Sequence, residues 1–454
     1  MRRLASSAVL VFLWSQAAGA ASGLSEPATW LRDYLRIDTS NPPGNEARAA
    51  GALDGLLTRL GIEHRRFASP AGRQSLWARL PATGAGATSA RAILLLHHID
   101  VVPPGPGWTV PPFGGLVRNG RLWGRGALDD KSLGIAQLAA LVDLKRRVLD
   151  RRREIIWLAV ADEESGGAAG TAWLLDEHPE LFKNVEAVFG EGGANRVAQG
   201  RILWWGLEVA QKRPLWMEVA ARGRGGHGSG LNPGSANHEL IRGLARLLDA
   251  KPRWRVTAAT RDYLRALAPL HNGFWRSRFL RIDAIVRPDG PTEMLMPGLA
   301  NLFLDTVQVT VLSGGQRINV IPAQATAELD VRLLPDTDAA AFSSQIRRAL
   351  GPDLATKVLV TAPPSAPSPV DTPVYRAAAR VLGTSAPVVP AFIAGFTDSR
   401  YFRERGIPAY GLSPFALEGP DLAGIHSPDE RIPLAEFDRG VLRMKKILAA
   451  LVAP

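Results

Sequence analysis

Two continuous apolar runs, Ala92–Leu96 and Ile155–Ala161, organise the first half of the chain, each followed by polar or turn-forming residues. Runs without alternation fit strands buried on both faces, as in a parallel sheet. Between them Leu133, Ala136, Leu138, Leu141 and Val142 recur at roughly helical spacing. A third run, Ala187–Phe189, follows a helical stretch at Ala172–Leu175. Strand, helix, strand, helix, strand predicts an α/β fold with a mostly parallel central sheet flanked by helices.

The pattern changes near Lys212. Leu215, Met217 and Val219 alternate with Trp216, Glu218 and Ala220, the period of a half-buried antiparallel strand. There follow a helical stretch at His238–Leu248, strands at Thr306–Leu312 and Thr326–Leu333, a helix around Ala339–Leu350 and a strand at Lys357–Thr361. This is α+β patterning for a second unit of about 150 residues. The proline-rich stretch 362–369 leads back to the first unit. The predicted division is 21–211, 212–363 and 364–454, with the outer parts forming one domain around an insertion.

Composition narrows the chemistry. The 454 residues are 46% hydrophobic and 21% charged, ordinary for a globular chain. Cysteine is absent, which excludes disulfide scaffolds, thiolate metal sites and cysteine nucleophiles; any metal must be held by His, Asp and Glu. The formal charge of +11 is scattered, apart from Lys145–Arg147 and Arg151–Arg153, so nothing resembles a nucleic-acid interface. Arg2 and Arg3, the apolar run Ala8–Trp14 and Ala18-Gly19-Ala20 have the layout of a secretory signal peptide, with Ala21 as the mature start. The expectation is an exported protein, periplasmic or secreted, with no stable membrane anchor after cleavage.

Five motifs carry candidate chemistry. His98 follows the first strand, with Asp100 two residues on; Asp129-Asp130 precedes the helical stretch; Asp162-Glu163-Glu164 follows the second strand; Glu191 follows the third; His426 lies far along the chain. Singly, each also fits a plainer role: a strand-end histidine, a helix cap, a surface turn. Together they place His and carboxylate groups after three successive strands, where open α/β sheets bind ligands. O and N donors suit zinc, with cobalt or manganese as alternatives. If Asp129, Glu164 and Glu191 are ionised, two divalent ions with one hydroxide neutralise the site, which favours two metals over one.

The ordered set resembles a known family, the di-zinc metallopeptidases that include aminoacylase, glutamate carboxypeptidase, carnosine-type dipeptidases and succinyl-diaminopimelate desuccinylase. The matching elements are His98-Ile-Asp100-Val-Val-Pro103, Trp108 with Pro112-Phe113, Gly124-Arg-Gly-Ala-Leu-Asp129-Asp130-Lys131, Asp162-Glu163-Glu164, Glu191, Gly226-His227, Asn319-Val-Ile-Pro322, Arg332, Thr397-Asp398-Ser399-Arg400 and His426-Ser-Pro-Asp-Glu430. They run from about Trp30 to the C-terminus, with the spacing of the carboxypeptidase and N-acyl-amino-acid hydrolase branch.

The resemblance implies one zinc on His98, Asp129 and Glu191 and a second on Asp129, Glu164 and His426, with Asp129 bridging. It further implies that Asp100 orients His98, that Glu163 is the general base, and that the Asp129–Asp130 peptide is cis. The insertion becomes a lid and dimerisation domain, from which His227 reaches the partner subunit's site in a homodimer. Arg332 and Asn319 clamp the substrate carboxylate. The implied reaction is hydrolysis of an amide bond next to a carboxylate-bearing amino acid, in a peptide or an N-acyl amino acid. The rival readings are an exported, non-catalytic peptide- or amino-acid-binding protein and a di-zinc aminopeptidase. His97 departs from the family, which usually has glycine there; it is read as structural. Trp204 and Trp205 fit either acyl contact or core packing.

Overall fold

The computed structural model describes residues 23–84, 91–147 and 150–453; the segment 1–20, read above as a signal peptide, lies outside them. The central sheet has the spatial order Glu63–Ala68, Gln74–Leu80, Ile155–Val160, Ala92–His98, Val185–Gly190, Ala409–Gly411, Arg201–Gln211, Val388–Ile393. The four strands from Ile155–Val160 to Ala409–Gly411 are mutually parallel, and antiparallel strands flank them. Both faces are covered. Ile93 and Leu95 enter the larger core with the helices Glu26–Leu35, Lys131–Arg146 and Leu434–Val452, whereas Leu94 and Leu96 enter a second core with Leu158, Leu174 and Phe402. Two buried faces account for the unbroken apolar run in the sequence. The parallel strands end together, and their ends deliver His98, the 162–164 acids and Glu191 to one crevice.

The second sheet is antiparallel, in the order Thr306–Ser313, Gln324–Leu333, Arg213–Arg222, Leu354–Thr361. Leu215, Met217 and Val219 meet Leu240, Leu244 and Ile346 of the helices Ala236–Asp249 and Ala339–Leu350 in a core of their own. Lys212 alone separates Arg201–Gln211, in the first sheet, from Arg213–Arg222, in the second. Its ammonium is buried, 2.9 Å from Thr306 Oγ1 and 3.4 Å from the Asn301 carbonyl. Not all of 212–363 belongs to this unit. Tyr263, Leu264, Phe279, Leu302 and Phe303 join the larger core, and the helix Ala258–Leu267 packs on the Val388–Ile393 strand. They fall within 212–363 because elements of the second pattern stand on both sides of them, and an apolar helical face does not say which core it meets.

His97 points to the side opposite His98. It is buried against Trp157 and Tyr34, with ring centroids 4.8 and 6.4 Å away. Burial, then the adjacent His98, pushes its pKa down to about 3, so the ring is neutral. The helix above has glycine where the ring passes: a Cβ on Gly134 would stand 2.1 Å from His97 Cδ2. Gly134→Ala is therefore expected to lower the urea midpoint, by ~1–3 kcal/mol in stability for an overpacked core, although alanine is the better helix former. In a His97→Ala background the same change should cost less. Equal costs in both backgrounds would show that the two positions are not coupled.

Candidate metal centre and active site

Asp129 stands at the middle of the crevice. Its Oδ1 is 2.9 Å from His98 Nε2 and its Oδ2 is 3.1 Å from His426 Nε2. Glu164 Oε2 lies 3.3 Å from the same His426 nitrogen, and Glu191 Oε2 lies 4.0 Å from His98 Nε2. The structure thus gathers His98, Asp129, Glu164, Glu191 and His426 into one cluster. Asp130, to which sequence reasoning gave no ligand role, also joins it: the donor atoms of His98, Asp130 and Glu191 lie within 4.8 Å of one another, as do those of His98, Asp129 and Glu164. The Asp129–Asp130 peptide is cis.

The tautomer of His98 follows from its partner. Nδ1 is 2.8 Å from the Asp100 carbonyl oxygen, which can only accept, so Nδ1 carries a proton; Nε2 faces the Asp129 carboxylate at 2.9 Å, and against burial that contact and Glu191 raise the pKa of the ring, so a bound cation would take the place of the Nε2 proton. This revises the expected part of Asp100. Its backbone orients the ring, while its carboxylate, 3.7 Å away at the nearest oxygen, accepts from the amides of Glu163 and Glu164 at 3.2 and 3.1 Å and from Asn41 Nδ2 at 2.8 Å. Asp100 therefore fixes the turn that carries the two glutamates.

A second buried acid acts alike on the other loop. Glu430 accepts from Arg125 Nη1 at 2.7 Å and from the amides of Gly126, Leu128 and Asp129 at 3.0, 2.6 and 3.2 Å. The His426 loop is pinned further by Asp429, whose carboxylate accepts from Thr109 N and Oγ1, each at 2.8 Å. His426 and Asp429 both have left-handed backbones, with φ of 58° and 60°.

The donor set fits divalent cations. Asp130 Oδ2 and Glu164 Oε1 are buried without a hydrogen-bond partner. Burial, reinforced by neighbouring carboxylates, pushes Glu163, Glu191 and Asp130 well above the usual carboxylate range, against the pull of His98. So many acids in one place call for positive charge, and N/O donors suit zinc-like ions. Glu163 lines a small cavity with His98, Glu191 and Asp398. Burial raises Asp398 to about 6, and its Oδ2 accepts from Thr171 Oγ1 at 2.6 Å.

The insertion residues stand apart from this cluster. His227 is exposed, its Nδ1 2.8 Å from Ser229 Oγ, and it pairs with Val320 next to Asn319, also exposed. No hydrogen bond or ion pair joins His227 or Asn319 to the cluster among the described residues. Arg332 donates from Nε and Nη2 to the two oxygens of Asp330 at 2.6 and 3.0 Å, over the ring of Phe396. That pair uses one edge of the guanidinium and leaves the Nη1–Nη2 edge for another carboxylate. Trp204 and Trp205 are buried, Trp204 against His271 and Trp205 donating to Ser385 Oγ, so both are core residues.

Among the supporting residues, Asn41, Asp398 and Glu430 had no role assigned from sequence. Glu430 and Asp398 stand in recognised motifs, whereas nothing marks Asn41 before the chain folds. Glu430→Gln is expected to turn an amide donor against backbone N–H groups, cost ~1–3 kcal/mol and weaken metal affinity ~10–100-fold. Thermal unfolding and metal content after dialysis against a chelator would register both; unchanged values would remove Glu430 as the support of Asp129.

The sequence pattern described as Peptidase family M20/M25/M40 matches residues 94–450. Human aminoacylase-1 is 28% identical over 435 residues, covering 94% of this chain and 95% of that protein. The M20 family metallo-carboxypeptidase Sso-CP2 from Sulfolobus solfataricus shares the fold, with a TM-score of 0.71 at 20% identity over 95% of this chain and 100% of that one. Human carnosine dipeptidase 1 does so with a TM-score of 0.72 at 16% identity, over 94% and 97% of the two chains. By the extent of the sequence match, this chain belongs to the peptidase family M20/M25/M40 and is a hydrolase of amide bonds within a metal-dependent, typically dinuclear, group.

Proposed function

We propose that the protein hydrolyses the amide bond of a peptide or N-acyl amino acid next to a residue with a free carboxylate, using two zinc ions. The observation that carries this reading is Asp129 offering one oxygen to each of two histidines, with Glu163 buried beside them. His98, Asp129 and Glu191 would hold one ion and Asp129, Glu164 and His426 the other, with Asp130 close to the first. Bound there, the ions would polarise the scissile carbonyl and lower the pKa of a water between them. Glu163 takes the proton of the attacking water as the C–O bond forms, then gives it to the departing nitrogen as the C–N bond breaks. A binding protein has no use for such a base.

Arg332, aligned by Asp330, and Asn319 receive the substrate carboxylate. His227 and Asn319 lie on an exposed tip, which supports their acting on the partner subunit of a homodimer, with His227 donating to the developing oxyanion. The signal-like start supports export.

Glu163→Gln should keep its metal and lose roughly 10²–10⁴-fold in turnover; parental activity would exclude Glu163 as the base. Chelation should abolish activity and zinc or cobalt restore it, while fewer than one ion per chain after reloading would end the two-metal reading. Blocking the substrate's carboxylate should abolish turnover and blocking its amine should not; the reverse result would indicate an aminopeptidase. His227→Ala should lower turnover by ~10²-fold or more, and mixing it with Glu163→Gln chains should restore activity through dimers with one intact site. Failure to recover, with mixed dimers seen by mass, would confine His227 to its own subunit.

A further inference from the structure

Among the described residues no hydrogen bond or ion pair engages the carboxylate of Glu163, so that side chain takes its direction from its backbone. Glu163 begins the single 3-10 turn Glu163–Ser165, which has a left-handed residue on each side: Asp162, with φ of 74°, and Gly166, with φ of 100°. Glycine adopts such a φ freely, whereas aspartate keeps it where its surroundings hold it there. Asp162 is held by both carboxylate oxygens. Oδ1 accepts from Arg73 Nη1 at 2.7 Å, and Oδ2 accepts from Ala169 N at 2.8 Å. Asn41 Nδ2, which donates to Asp100 at 2.8 Å, stands 3.5 Å from the same Oδ1.

Arg73 reaches this turn from the edge of the central sheet, just before the strand Gln74–Leu80. That strand runs antiparallel to Ile155–Val160, with Leu76 opposite Ala159, so its start lies beside the end of its neighbour. The guanidinium is divided between two acids. Nε donates to the two oxygens of Glu46 at 3.0 and 2.9 Å and Nη2 also donates to Glu46, which leaves Nη1 for Asp162. Glu46 is 1% exposed and is the first residue of the helix Glu46–Arg59. Gly44, with φ of 91°, lets the guanidinium lie against the chain; a Cβ there would collide with Cζ and Nε. The planar fork of arginine bridges two acids in a fixed geometry, which the single ammonium of lysine does not reproduce.

We infer that Arg73 is a positioning residue for the general base: by holding Asp162 it fixes the left-handed entry to the turn that directs the Glu163 carboxylate at the metal centre. The inference rests on the reading of Glu163 as the base and goes beyond it. Arg73 acts through Asp162 and touches neither the metal cluster nor Glu163 by any hydrogen bond or ion pair among the described residues. Glu164 shares the turn, but its carboxylate has a hold of its own in His426, 3.3 Å away. Loosening the turn therefore falls on Glu163 first.

The test is a double-mutant cycle on zinc-loaded protein, with a dipeptide or N-acyl amino acid that the parent enzyme hydrolyses. Arg73→Met is expected to lower kcat by about 10–100-fold, the scale for a displaced catalytic group, with KM within about twofold and metal content unchanged. Arg73→Lys, which keeps the charge without the fork, should restore little of the loss. In a Glu163→Gln background, whose residual turnover is read at high enzyme concentration, Arg73→Met should cost less than about twofold more, because the group it positions is already disabled. Asp162→Asn keeps an oxygen for Ala169 N but turns an amide NH₂ toward Arg73. It should lose as much kcat as Arg73→Met, and joining the two should add little. If Arg73→Met does not fold, Asp162→Asn with and without Glu163→Gln carries the same comparison. Equal losses in the parent and Glu163→Gln backgrounds, an unchanged kcat, a rise in KM alone or loss of metal would overturn the assignment and leave Glu163 as the base. Parental turnover by Glu163→Gln alone would overturn both.

Discussion

Too many carboxylates converge on too little water: this is the constraint around which the site is built. Asp129, Asp130, Glu163, Glu164 and Glu191 arrive from three parts of the chain, and burial opposes the charge of most of them. Histidines at either oxygen of Asp129 lower its pKa, although burial works the other way. Two imidazoles cannot balance five acids. Cations can, and the unpartnered oxygens of Asp130 and Glu164 are the acceptors left to receive them.

Such crowding persists only if the backbone is held, and two further buried acids hold it. Asp100 gathers the amides of Glu163 and Glu164; Glu430 gathers those of Gly126, Leu128 and Asp129. Each trades a carboxylate's demand for donors against a loop's surplus of N–H groups. The negative charge that fixes the scaffold thus adds to the field at the centre, and Arg125 offsets part of it at Glu430.

Much of this was legible before folding, for a specific reason. Parallel strands buried on both faces write themselves as unbroken apolar runs, and their ends converge, so His98, Glu164 and Glu191 could be placed together from pattern alone. Alternation at Leu215, Met217 and Val219 likewise marked the second sheet. What the pattern lacked was long-range partnership. The amides that Asp100 accepts lie more than sixty residues away, and Asn41 comes from a turn with no periodicity. The segment around Tyr263 and Phe303 is amphipathic, and amphipathicity is silent about which of two cores an element joins. Asp330 beside Arg332 was in plain view, but only the structure shows which edge of the guanidinium it takes.

Along one strand a single residue, Lys212, separates the two sheets. Because Arg201–Gln211 and Arg213–Arg222 are one strand interrupted at Lys212, the two sheets share a continuous backbone there, and the Lys212 side chain is anchored on Thr306. The ten-residue strand beyond it reaches about 33 Å toward the His227 loop. Gln211, at the near end, exchanges hydrogen bonds of 3.1 Å with Thr397, the neighbour of Asp398 and thus of the Glu163 cavity. One strand therefore connects the wall of the Glu163 cavity to the distant tip, over a reach set by strand length.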